Sequence, residues 1–128
     1  MDLRKSFGVN ADQAENGKWF DLEDGGSVKV AKFGNPKWVA ELVRLRKPHL
    51  ATIRTGTLSD EVTTDITVKA MAKGILLDWK NISIDGEEFH HSLENAEKIL
   101  HEYPEFREAI AQIASDRKSF SVEDIAGK

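Results

Sequence analysis

The chain has 128 residues, 40% hydrophobic and 31% charged, with a formal net charge of -4, a size and balance that suit one compact domain with its own core. Cysteine is absent, which excludes a disulfide framework and a thiolate zinc site and leaves histidine and carboxylate as the available metal ligands. No apolar run approaches the roughly 20 residues of a membrane span, and the opening "MDLRKSFGVNADQAENG" lacks the hydrophobic centre of a signal peptide, so the expectation is a soluble intracellular protein.

Residues 1–16 mix polar types without hydrophobic periodicity and read as a flexible N-terminal arm. Order is expected from Gly17, with a single globular domain over 17–120 and a frayed tail over 121–128. "KWFDL" (18–22) and "SVKVAKF" (27–33) flank "EDGG", and Val28 and Val30 alternate with Lys29, which predicts a β-hairpin.

"GNPKWVAELVRLRKP" reads as a helix with both ends marked. Asn35 caps it, Pro36 suits its first position, and Lys47-Pro48 stops it. Trp38, Leu42 and Leu45 recur at i, i+4 and i+7 with Val39 and Val43 beside them, predicting one wide buried face. Pro48 to Leu58 reads as a connection.

Ser59 or Thr64 then caps a second helix, whose acids Asp60, Glu61 and Asp65 lie near its positive end. Val68, Met71, Ala72, Ile75, Leu76 and Trp79 fall at helical spacing and predict one continuous stripe. Gly74 within it marks either a close helix crossing or an early end.

"NISI", Asp85-Gly86 and "EEFHH" predict a second, short hairpin. Ser92 is a good cap for a helix bearing Leu93, Ala96, Leu100 and Tyr103, and Pro104 breaks it and begins another. That last helix carries Phe106, Ala109, Ile110, Ile113 and Ala114 on one face. Ser121 followed by Asp124 suggests a short final turn. The fold class read from these signals is α+β, with an N-terminal β-hairpin, a second short β-hairpin and about four α-helices.

Charge is unevenly placed. Residues 1–64 hold ten Lys/Arg against nine Asp/Glu, and residues 65–128 hold eight against thirteen. No acid occurs from Leu42 to Ser59, where Arg44, Arg46, Lys47 and Arg54 form a basic patch. The plain reading is a solvated helix end; the functional one is a contact for an acidic protein partner, since nucleic-acid modules are usually basic over a whole face. Trp19 and Phe20 are neighbours on a strand, so one points outward and is a candidate for a protein interface.

Sequence offers no catalytic constellation. Adjacent strand residues point to opposite faces, so His90 and His91 are not expected to share one ion, and neither H-x-x-x-H nor H-E-x-x-H is present. Asp85, Glu87 and Glu88 lie at a turn, where solvent screens them. There is no nucleophile elbow and no phosphate-binding loop. Catalytic, metal and cofactor sites are therefore all expected to be absent.

Two segments carry a resemblance. "NGKWFDLEDGGSVKVAKFGNPKW" resembles the opening of tail assembly chaperones from long-tailed, non-contractile bacteriophages: a Trp-bearing strand, an acidic Gly turn, an alternating strand, then Gly-Asn and an aromatic-rich helix. "ILLDWKNISIDGEEFHHSLENAEKILHEYPEF" is similar to the family's second segment, where Ser-x-x-Asn-Ala opens a helix that ends at Pro. The resemblance covers Gly17 to Phe120.

It implies a non-enzymatic protein that binds the tape measure protein in the host cytoplasm, aids tail tube assembly, self-associates and is absent from the mature virion. It further implies that this is the short form of a pair. The longer form arises by ribosomal frameshifting, with Gly127-Lys128 as a candidate slippery site, and engages the tail tube protein. The competing classes are a structural tail completion or connector protein retained in the particle, and a small regulatory or nucleic-acid-binding domain using the four cations.

Overall fold

The computed structural model describes residues 1–122. Both expected hairpins form. Strands β1 (Lys18–Asp21) and β2 (Ser27–Val30) pair antiparallel, and a separate two-stranded sheet is made by β4 (Ser83–Ile84) and β5 (Glu87–Glu88). The turn between β4 and β5 holds Asp85 at φ 51° and Gly86 at φ 81°, the paired positive angles of a primed hairpin turn.

The four longer helices are α3 (Pro36–Arg46), α5 (Asp60–Gly74), α6 (Leu93–Glu102) and α7 (Pro104–Ser115). Their starts are chemically marked. The side chains of Asn35, Ser59 and Ser92 accept from the backbone N–H of Trp38, Val62 and Asn95 respectively, and each such cap is worth about 1 kcal/mol. Of the two caps proposed for α5, Ser59 is the one used. With every strand pair antiparallel, the architecture is α+β, as expected.

One predicted stripe divides. Helix α5 ends at Gly74, and Leu76–Lys80 is a strand, β3, that completes a sheet of order β1-β2-β3. Leu76 and Trp79 are both buried although they lie three residues apart, which a regular strand would place on opposite faces. The register explains this. Val28 faces Trp79, Lys29 faces Asp78, but Val30 faces Leu76, so Leu77 is skipped in a bulge. The bulge returns Leu76 to the inner face. A bulged strand thus imitates a helical spacing: the stripe expected through Trp79 is shared between a helix and a strand, and Gly74 is the early end that the sequence left open.

A second correction concerns Pro48 to Leu58. A 3-10 turn (Lys47–His49) leads into a short helix, α4 (Leu50–Thr55), closed by Gly56 in the left-handed region at φ 71°. Pro48 therefore starts a helical segment as well as ending one.

Residues 1–16, read as a loose arm, contain two short helices, α1 (Leu3–Phe7) and α2 (Ala11–Asn16), capped by Asp2 and Asn10. They are tied to the body by backbone bonds: Asn10 N–H to the Phe120 carbonyl (2.8 Å) and Lys32 N–H to the Ala14 carbonyl (2.8 Å). Ser121 bridges Val9 across a single β-type contact, and Val122 N–H donates to the Gly8 carbonyl. Local capping and long-range backbone bonds supply the order that composition did not signal. The turn proposed from Ser121 to Asp124, the remainder of the 121–128 tail and Gly127-Lys128 lie outside the described residues.

The main core gathers the inner face of the sheet, α5, α6 and α7 around fully buried Val28, Val30, Ile75, Leu100 and Ile110. A smaller cluster of Leu42, Ile66 and Ala70 joins α3 to α5. Trp38 packs on both clusters, with its ring 5.1 Å from that of Phe33.

Candidate functional site

Helix α3 has two apolar faces. Trp38, Leu42 and Leu45 turn inward, as their spacing predicts. Val39 and Val43, expected to widen that buried face, are exposed by 43% and 64%. They sit one residue further round the helix and so form their own i, i+4 pair.

The segment that follows is also exposed. Every residue of α4 is exposed, with Leu50 and Ile53 among the exposed large hydrophobics. A helix with no buried residue is not held by a core of its own. We refer to α3's outer face and α4 together as the arm.

The four cations divide on this arm. Arg44 makes a bidentate pair with Glu41, Nε to Oε1 at 3.0 Å and Nη2 to Oε2 at 2.6 Å. Arg46, Lys47 and Arg54 are exposed, and among the described residues no ion pair engages them. The patch seen in sequence is thus three available charges beside Val43, Leu50 and Ile53.

The hydrogen bonds from Arg44 hold Glu41 below the ordinary carboxylate range; burial opposes this and the positive charges of Arg44 and Lys73 reinforce it. A lowered folded-state pKa contributes stability that is present above the unfolded value and lost as pH falls through the folded one. Glu41→Gln should therefore be less stable than the parent at neutral pH by under about 1 kcal/mol. The gap should narrow once pH falls below the unfolded carboxylate value of about 4.3 and close at a lower pH, below the folded one. Denaturant melts at both pH values check this.

A second surface lies between the β4–β5 hairpin and the junction of α6 and α7. It is an open groove of about 540 Å³. Ile82, Ile84, Ile99 and Phe106 contribute apolar walls with Tyr103 and Pro104, and Asp85, Glu102 and Glu105 supply carboxylates. No cation lines it. Sequence placed these residues on a hairpin and two helices without bringing them together; Tyr103, read as part of a helical stripe, is 44% exposed.

Trp19 and Phe20 behave as strand neighbours. Phe20 packs toward the core with its ring edge-on to Phe120 at 5.8 Å. Trp19 takes the other face, where Lys80 Nζ stands 4.0 Å from its ring centroid. That cation covers the indole, so Trp19 is a less open contact than Val43 or Leu50.

The paired histidines diverge, though by a different cause from the one expected. Strand β5 ends at Glu88, so strand alternation does not reach them. His90 is exposed and its Nδ1 lies 3.2 Å from Glu88 Oε2. His91 packs edge-on against Trp79 at 4.8 Å, with Nδ1 4.0 Å from Asp78 Oδ1 and Nε2 buried without a hydrogen-bond partner among the described residues. Trp79 in turn stacks on Phe89 and donates Nε1–H to its carbonyl at 2.6 Å. His91 is a wall of the Trp79 cluster. Among the described residues no three His, Asp or Glu side chains gather as a metal site, and no helix is long and apolar enough to cross a membrane.

These features define a small α+β protein that carries an exposed apolar and basic segment and an apolar and acidic groove, besides the exposed Leu3, Phe7 and Val9 of the N-terminal segment. The profile described as YdaY prophage protein matches residues 33–128, and the chain belongs to that family. It is a phage-derived protein. The match starts at Phe33, so most of the first segment that resembles tail assembly chaperones lies outside it. No curated protein and no solved structure matches the chain.

Proposed function

We propose that this chain is a non-enzymatic assembly factor of a phage, a tail assembly chaperone that acts in the host cytoplasm and is left out of the finished particle. The observation that carries the reading is the arm: Val39, Val43, Leu50 and Ile53 stand exposed beside Arg46, Lys47 and Arg54. Exposed large apolar side chains that alternate along the chain with unpaired cations suit a surface that meets another protein. Membership of a prophage family and the order of elements from the Trp19 strand to the Pro104 break support the same reading. Its client is the tape measure protein, whose long apolar helices need cover before the tail tube closes around them. A longer frameshifted form reaches the tail tube protein.

The test is co-expression with the tape measure protein encoded in the same prophage. That protein should stay in the supernatant with this chain and sediment without it. Equal precipitation in both cases would overturn the reading. Abundance of this chain in purified particles, measured by mass spectrometry, would assign it to the tail structure instead.

A further inference from the structure

We propose that the arm of one copy docks in the acidic groove of the next, so that the chain assembles head to tail. This rests on the reading of the arm as a protein-docking surface, and names its occupant as a second copy of this chain. The two surfaces match in kind and oppose in sign. The arm offers exposed apolar side chains and, in the same stretch of sequence, exposed Arg46, Lys47 and Arg54, and no acid occurs between Leu42 and Ser59. The groove offers apolar walls with Asp85, Glu102 and Glu105, and no cation among its lining residues.

No residue of α3 or α4 lines the groove, so within one molecule neither surface covers the other. A symmetric pairing of arm on arm would set like charges together, which costs several kcal/mol in an interface. Arm in groove is heterologous, and such contacts repeat into rings or filaments. Nucleic acid would use the cations but leave Leu50 and Ile53 facing water. A second copy covers the apolar residues and pairs the charges of both surfaces at once.

The experiment uses the purified full chain and sedimentation velocity over a concentration series, with two charge-reversed variants. In one, Arg46→Glu, Lys47→Glu and Arg54→Glu reverse the arm; in the other, Glu102→Lys and Glu105→Lys reverse the groove. Asp85 is kept because its positive φ suits few side chains. The parent should self-associate, and each variant alone should do so about a hundredfold more weakly, because its arm and groove now carry the same sign.

Mixing the two variants should restore assembly, since the acidic arm of one then fits the basic groove of the other. Recovery on mixing excludes misfolding as the cause of the loss, and far-UV circular dichroism of each variant gives a second control. A parent that stays monomeric throughout, a reversal that leaves association unchanged, or a mixture that does not recover would each overturn the inference. These outcomes are independent of the tape measure: a monomer that still keeps that protein in solution leaves the chaperone reading standing and removes only this one.

Discussion

Phe120→Ala should destabilise the protein by about 3–5 kcal/mol, the range for removing a fully buried phenyl ring. Phe120 has no exposed surface and contacts Phe20 edge-on at 5.8 Å, so truncation leaves a cavity under the first hairpin. The backbone around it anchors the N-terminal segment. The Phe120 carbonyl accepts from Asn10, Ser121 bridges Val9, and the Ser119 carbonyl accepts from Lys18 Nζ at 3.2 Å.

The variant should therefore show two effects in one experiment. Urea melts report the global loss, and hydrogen exchange should report faster opening of residues 9–17 than of α5, because the Phe120 carbonyl and the Ser121 bridge, at the end of a 3-10 turn (Arg117–Phe120), supply part of that segment's long-range bonding. Phe120→Leu keeps most of the volume and should cost much less. A loss under about 1 kcal/mol for Phe120→Ala would mean the ring is not part of the core.

Gly74→Ala should also destabilise, by about 1–3 kcal/mol, although helix propensity alone favours alanine by about 1 kcal/mol. Packing decides the sign. A Cβ at position 74 would stand 2.7 Å from Trp38 Cα and 2.8 Å from both its N and Cβ. Those atoms belong to the backbone and the root of a side chain, so no rotamer change relieves the clash and α3 has to move away from α5.

That movement breaks a specific link. Asn35 Nδ2–H donates to the Gly74 carbonyl at 2.9 Å and to the Lys32 carbonyl at 2.7 Å while its Oδ1 caps α3 through Trp38 N–H. Asn35 is the one polar residue among the buried set of the described chain, and loss of a buried hydrogen bond adds to the packing cost. Equilibrium denaturation decides the matter: a neutral or stabilising Gly74→Ala would show that propensity outweighs the contact.

The comparison between sequence and structure turns on particular residues. Caps and turns were legible because their chemistry is local. The cap bonds of Asn35 and Ser92 and the Asp85-Gly86 turn each lie within three residues, and each occupies its expected place. The sequence left Gly74 open between a close crossing and an early end. The structure shows both, since it is the last residue of α5 and touches α3.

What was misread depended on partners distant in the chain. Leu76 and Trp79 fit a helical period, and only pairing with Val30 and Val28, together with the bulge at Leu77, makes them strand residues. Val39 and Val43 looked like core because hydrophobicity alone does not say on which side of α3 the rest of the protein lies; α5 takes the Leu42 side. Leu50 and Ile53 lay inside an apparent connection, although Gly56 was available as a helix terminator.

The candidate surfaces show the same division. Sequence alone determined the α+β class, the two hairpins, the main helix starts and an acid-free stretch from Leu42 to Ser59, because composition, periodicity and capping are properties of neighbouring residues. Only tertiary structure decided that Glu41 occupies Arg44, that Lys80 covers Trp19, and that Ile82, Tyr103 and Phe106 meet in an acidic groove. Each of these depends on which side chains the fold brings within a few ångströms, and the packing of whole elements sets that distance.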